Sequence, residues 1–429
     1  MAKHKKPGDK ELDKRPPRSE LLAVALLAWG IVAGLYLSRT PEFVRTHDFP
    51  AHRYYADIIM REHRLPAPYE HWETYQPPLY YLLNSVIAPG DPAGHVFGVR
   101  LLSLIYGGLC LVIIDRLLRR FKFAPPIRLL VLLWIATTPK YLMMFTTYNN
   151  DALATLLALV AIHSWTRLVD GWNIRQAAIL ALAGTAAAYT KWNVLGVLAI
   201  LALLTLVLTV RRTVAPRQAA MIGLLMLLPG VLLMPWLVFH NQRLTGHLFP
   251  HNSQKFGTIG DFYRLPEPQR ALIAPPPLRS AAWKVPYVNP DDRAEPKNAS
   301  YCAYSFVTSI FGEYRFPEKL KLLAWLILAV HLVFMVAALG RVFWKGFTFL
   351  SGVGLLSGWC IQGAFLILVP QITSMDFRLI AWTWPAWAIL FAAALTSGDE
   401  RRTVFLPSAV LCSLGIFAHL CFLLSIPPV

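Results

Sequence analysis

Runs of apolar residues long enough to cross a bilayer constrain this chain more than anything else in it. Spanning about 30 Å of hydrocarbon takes roughly 20 helical residues. About eleven stretches of the 429-residue sequence qualify: 20–38, 95–117, 127–146, 151–169, 175–190, 193–210, 218–239, 321–340, 349–370, 379–396 and 404–425. A composition of 56% hydrophobic and 15% charged residues agrees with an all-α polytopic membrane protein. The run at 175–190 is the weakest, short and rich in alanine with Gly184 inside it, and small residues of that kind suit close helix packing.

The formal net charge of +17 would point to nucleic acid in a soluble protein, but here Lys and Arg sit in short runs between apolar segments. If the basic start at 1–19 is cytoplasmic, the inner loops are RLLRRFKFAPPIR, RLVDGWNIR, RRTVAPR, GRVFWKG and GDERR. The outer loops TTYNND, TKWN and QITSMDFR are poorer in positive charge, which is the positive-inside pattern. The charge therefore reports topology and implies no nucleic-acid partner, with some cations left for an anionic lipid. The start has no small-residue cleavage site after the first apolar run and reads as an uncleaved anchor. One transmembrane domain at 20–429 follows, with two long outer loops at 39–94 and 240–320. An odd number of crossings puts Val429 outside, as for a multi-pass protein of a bacterial inner membrane. Four of five cysteines, Cys110, Cys360, Cys412 and Cys421, lie in apolar runs and Cys302 in a loop; with no CxxC or HExxH pattern, no metal site of those kinds is expected.

The stretch His47–Leu83, HDFPAHRYYADIIMREHRLPAPYEHWETYQPPLYYLL, is too polar for hydrocarbon and lies between two apolar runs, so it belongs at the membrane surface. Tyr55, Ile58, Ile59 and Glu62 recur at helical spacing and predict an interfacial helix over 51–63. A second short helix is expected after Pro77 and Pro78, since proline suits a first turn. In the other long loop, APPPLR and NPDDRAEPKNAS read as irregular surface.

Several polar residues gather at the outer ends of the runs. Asp48 has two readings: a general base facing a water-filled cavity, or an N-cap followed by Pro50 in the first turn. His52, one turn on, either orients that acid, touches substrate or is simply solvated. Asn150 and Asp151 open a helix and are either caps or, for Asp151, a second acid that binds an acceptor or a divalent cation. Lys191 is outward against the charge bias; it either snorkels or neutralises a phosphate. Arg378, at the start of the tenth run, carries a planar fork suited to a phosphodiester.

An acidic residue just after the first span, a short helix and then YQPPLYY resembles the lipid-carrier-dependent glycosyltransferases of the GT-C superfamily. The bacterial family-39 type, relatives of protein O-mannosyltransferases and of the aminoarabinose transferase acting on lipid A, is the nearest pattern. NDALA at 150–154, the outward Lys191, PWLVFHNQRLTGHLFP and YSFVTSIFGEY also resemble family segments. SMDFRLIAWTWPAW resembles the family's Arg-Tyr-Leu-x-Pro-x-x-Pro pattern but departs from it: Phe377 and Leu379 flank the arginine and only Pro385 remains of the prolines. The resemblance implies a GT-C fold and a sugar transferred from a polyprenyl-phosphate donor to a glycan, lipid or protein acceptor at the outer face, with inversion. It implies Asp48 as base, Lys191 and Arg378 on the donor phosphate, and His52, Gln76, Tyr80, Asn150, Asp151, Asn241 and Glu313 around the substrates. Such a donor needs no nucleotide, in keeping with the lack of a Gly-rich phosphate loop, and no cofactor is implied beyond a divalent cation, for which the pattern leaves room. The alternative function is a transporter or flippase of a lipid-linked sugar. Inverted repeats or paired broken helices would favour it, and the sequence has neither.

The topology is directly testable. Reporter fusions and thiol labelling are expected to place Cys302 outside and Arg119 and Arg212 inside; the opposite result at Arg212 would mean a miscounted crossing at 175–210 and would move Lys191 to the other face.

Overall fold

The computed structural model describes residues 20–46, 48–87, 92–250, 255, 264–274, 300–312, 316–342, 346–396 and 405–426. Among them the chain is almost wholly helical, with an isolated bridge between Arg264 and Gln371. In hydrocarbon each backbone amide must be paired within its own segment, and the apolar runs do this as helices. In chain order these are α1 (Glu20–Arg39), α2 (Phe49–Glu62), α3 (Leu79–Ile87), α4 (Pro92–Arg120), α5 (Pro125–Thr137), α6 (Pro139–Met144), α7 (Asp151–Asp170) and α8 (Ile174–Thr190). Then follow α9 (Leu195–Val210), α10 (Pro216–Pro235) with a π-helical extension (Trp236–Gln242), α11 (Pro268–Ile273), α12 (Tyr301–Phe311), α13 (Lys321–Val342) and α14 (Gly346–Leu368). A 3₁₀ segment (Phe377–Thr383) leads into α15 (Trp384–Ala394), and α16 (Leu406–Leu424) is the last.

Nine helical stretches among the described residues are long and apolar enough to cross a membrane, against the eleven expected. The two that fall short have physical reasons. The run 127–146 is divided at Thr138 because Pro139 offers no N–H to continue α5, and α6 starts afresh from it. The run 175–190 becomes α8, whose 17 residues are just under the length of a crossing. Both still belong to the bundle, α8 packed on α7 and α10, and α5 on α1 and α16. The basic tail at 1–19, APPPLR beyond Ala274, NPDDRAEPKNAS before Ser300, and Glu313 lie outside the described residues.

Both expected surface helices form. α2 and α3 are joined by the Tyr55 and Tyr81 rings, stacked with centroids 3.7 Å apart and planes within 4°. The Tyr55 hydroxyl also donates to the Gln76 carbonyl at 3.3 Å. The buried Arg100 of α4 donates to the carbonyls of Thr40 (2.7 Å) and Thr146 (3.0 Å), tying the chain leaving α1 to the chain approaching α7. α12 is a buried helix on the same end of the bundle. Its Thr308 hydroxyl accepts from the Phe377 amide at 3.0 Å, and Tyr301 donates to the Trp359 carbonyl at 2.8 Å.

Small residues set the closest helix approaches. The Trp134 ring of α5 occupies the space a Cβ on Gly415 of α16 would need, and His331, Phe334 and His419 pack around that ring. Gly415→Ala is therefore expected to destabilise by about 1–3 kcal/mol through overpacking, read as a lower melting temperature in detergent. Gly223→Ala, at a helical site with nothing within 4 Å of the new methyl, is the matched control and should melt no lower than the parent.

Candidate functional site

Asp48 begins α2 in the left-handed region (φ 53°, ψ 24°), a conformation aspartate tolerates better than most residues. Its carbonyl accepts from the amides of Ala51 and His52, both at 2.9 Å, but its carboxylate makes no capping bond. The two readings of Asp48 are thereby separated: the backbone starts the helix, with Pro50 in the first turn, and the side chain points elsewhere. It lies 3.5 Å from Arg378 Nη1, at the long limit of a hydrogen bond.

Arg378 stands on the 3₁₀ segment that opens with Asp376. The Asp376 carboxylate accepts from the Arg378 amide at 3.1 Å and meets its Nε at 3.4 Å. That carboxylate is fully buried and faces Lys140 Nζ with both oxygens, at 3.2 and 3.3 Å. Lys140 is itself buried, in the first turn of α6 that the Pro139 break creates. Gln362 donates to the Asp376 carbonyl at 2.7 Å, fixing the segment from α14. The sequence reading named Arg378 but missed Lys140 and Asp376. The available signal was a lone lysine inside an apolar run, where an ionisable group needs a partner.

Lys191 does not snorkel. It is 7% exposed, and its Nζ lies 2.6 Å from Asp151 Oδ1, at the first residue of α7. Asn149, not Asn150, caps α7, accepting from the Ala152 amide at 3.1 Å. The Asn150 amide group is fully buried with neither atom bonded to protein, and the same holds for Tyr80 Oη and Gln76 Oε1, buried on and just before α3. Unpaired buried polar atoms are costly, so these atoms stand out in the structure. His52 is 2% exposed rather than solvated, bonded to Tyr81 Oη at 2.8 Å, and burial pushes its imidazole down to about 4, so it is neutral near pH 7. Asn241 bonds the Leu248 carbonyl and His240, shaping the turn that sets Phe249 against Trp192 at the rim. Its amide is thus spent on its own loop. Asp57 pairs with Arg53 on the outer face of α2, as a solvated residue would.

Glu73 is the other residue the sequence reading passed over, although it lies in the stretch singled out as the start of the chemistry. It is 5% exposed; burial first, and the Asp48 carboxylate second, push its carboxyl up to about 8, against the opposing pull of Lys191 and Arg378. With Glu73 protonated, Lys140, Lys191 and Arg378 balance Asp48, Asp151 and Asp376. The sign of its effect on stability follows. The folded state holds the proton more tightly than the unfolded chain, so the contribution is complete below the ordinary value near 4.5 and is lost as pH rises towards about 8. Glu73→Gln cannot ionise, and its melting temperature is expected to gain on the parent's progressively between pH 5 and pH 8 in detergent. A constant difference across that range would mean that Glu73 is ionised in the fold.

Neither a protein-family model nor a curated protein matches the chain. Among solved structures the chain is similar to the Archaeoglobus fulgidus oligosaccharyltransferase in its apo form, with a TM-score of 0.56 and 12% identity over 97% of this chain and 57% of that one. It thus spans just over half the length of that enzyme. It is also similar to the S. cerevisiae protein O-mannosyltransferase Pmt1-Pmt2 complex bound to the sugar donor (TM-score 0.41, 16% identity, 53% of this chain and 34% of that). A third likeness is to ArnT from Cupriavidus metallidurans bound to undecaprenyl phosphate (TM-score 0.40, 13% identity, 87% and 76%). The likeness at a TM-score of 0.56 shows the fold, an all-α GT-C fold.

Proposed function

We propose that this protein transfers a sugar from a polyprenyl-phosphate donor to an acceptor at the extracytoplasmic face of the membrane. The observation that carries the reading is the carboxylate of Asp48, free of any capping duty, beside Arg378 and at the same end of the bundle as the buried Lys191–Asp151 pair. A fold alone does not fix an activity; a base and two cations at one end of it supply the chemistry.

In the proposed step an acceptor hydroxyl attacks the anomeric carbon from the side opposite the lipid phosphate. Its proton passes to Asp48 Oδ as the new C–O bond forms. The bond between the anomeric carbon and the phosphate oxygen breaks, its electron pair goes to that oxygen, and the configuration inverts. Arg378 and Lys191 stabilise the charge that develops on the departing polyprenyl phosphate, in a site dry enough for such contacts to count. Gln76, Tyr80 and Asn150, with their unpaired polar atoms, receive sugar hydroxyls. Neutral His52, locked on Tyr81, backs Asp48, and Asp151 holds Lys191 and faces the acceptor. The charge stabilisation is assigned to Lys191 and Arg378.

The test is release of free polyprenyl phosphate from a labelled donor in proteoliposomes, followed by a screen of sugars. Asn tolerates the left-handed conformation as Asp does, so Asp48→Asn should fold. It should lose about 10²–10⁴-fold in turnover, the usual worth of a general base. Arg378→Lys should stay impaired, because the charge remains but the fork is lost. Asp57→Asn should transfer at the parent rate. Transfer by Asp48→Asn at near the parent rate would remove Asp48 as base and make Asp151 the next carboxylate to test.

A further inference from the structure

Arg378 has two carboxylates on it, and they hold it differently. Asp376 holds the base of the residue: it accepts from the Arg378 amide at 3.1 Å and lies 3.4 Å from Nε as an ion contact. This carboxylate has no exposure at all and is pinned by Lys140 through both oxygens. Asp48 touches the far end, Nη1, at 3.5 Å, with 28% of its side chain exposed. One carboxylate is fixed by its burial and by Lys140; the other is partly exposed and meets the guanidinium at the long limit of a hydrogen bond.

We infer that the Lys140–Asp376 pair is a positioning device that presents Arg378 as a shared arm, closed on Asp48 in the empty site and passed to the donor phosphate when it arrives. This rests on the lipid-phosphate reading of Arg378 given above. A phosphate that takes the end of the fork competes with Asp48 for it. Donor binding then strips the base of its counterion, leaving the carboxylate free to accept a proton when there is a sugar to transfer. Before that, the carboxylate is neutralised and an acceptor finds no base. The two substrates become coupled with the donor first, because the contact each needs is the one the other releases.

A charge argument supports the anchor. Lys140 offsets the charge of Asp376, which moderates its hold on the guanidinium. Were Asp376 unpaired, it would hold the guanidinium as a full partner and the arm would not pass on. Lys140 therefore acts through Asp376 on Arg378 and touches no substrate.

The experiment measures binding of undecaprenyl phosphate alone to the full chain in nanodiscs. Asp48→Gly suits the left-handed backbone and removes the competing carboxylate. It should bind the lipid phosphate about tenfold more tightly than the parent, the order of one charge-assisted hydrogen bond. Loss of a nearby negative charge alone would also tighten binding, so the gain is measured again in an Arg378→Ala background. There it should vanish, and a gain that persists overturns the arm. The pair is tested by Lys140→Met with Asp376→Asn. Removing both charges avoids a stranded one, and Asn still caps the 3₁₀ segment. That double variant should melt near the parent and bind undecaprenyl phosphate about tenfold more weakly, again about one such bond. It should also lose the Asp48→Gly gain. If it melts near the parent and keeps both the affinity and the gain, the pair is structural only; if it melts well below the parent, Lys140→Gln with Asp376→Asn, which also removes both charges, is read in the same way. If Arg378→Ala binds as the parent does, the donor-phosphate reading itself fails; if it weakens binding but Asp48→Gly changes nothing, only the shared arm fails.

Discussion

Charge in a low-dielectric bundle is tolerated only in company, and at one end of this protein that rule organises everything else. Lys140, Asp376, Arg378 and Asp48 form one chain of ion contacts, and Lys191 with Asp151 forms a second pair. They stand at the ends of α2, α6, α7, α8 and the 3₁₀ segment before α15, so the pairs also fix how those ends meet. Such pairs add little net stability, because desolvation offsets attraction. Their effect is to make one arrangement of helix ends far better than any other, and that arrangement leaves Asp48 and the far end of Arg378 partly open to solvent.

The aromatic layer over these charges has a complementary role. Tyr55, Tyr80, Tyr81, Tyr148 and Phe49 form a buried cluster under the first surface loop. Its rings hold α2 and α3 against α4 and the start of α7, and they exclude water from around His52 and Glu73. That exclusion keeps a histidine neutral and a glutamate protonated within reach of Asp48. Part of a loop built of polar sequence thus ends as a dry lining beside the partly exposed carboxylate of Asp48.

How much of this can be read from the residues depends on the range of the interaction. Helices in hydrocarbon are a local matter, so the apolar runs and α2 and α3 were legible from hydropathy, periodicity and proline placement. Asp48, Lys191 and Arg378 were legible as outward polar residues in short patterns. The Lys140–Asp376 pair behind Arg378 was not, because the two residues lie more than two hundred positions apart in the chain and nothing local links them. Glu73 escaped for another reason: its burial depends on how α2 and α3 fold over it, and among so many polar neighbours it looks like any surface glutamate. The cap-or-base question at Asp48 turned on which way a carboxylate points from a left-handed residue, and no pattern of residue types encodes that. The division of the 127–146 run was available in Pro139, but its consequence, a buried turn presenting Lys140, was not.

Arg100 takes on a different meaning in this light. Its guanidinium holds the carbonyls of Thr40 and Thr146, the strands of chain that lead into Asp48 and Asp151. The entries of the chain towards α2 and α7 are therefore tied together by a residue that touches neither acid. In engineering terms it is a set screw: altering its length or charge would shift those two entries relative to each other, while every residue of the site itself stayed the same.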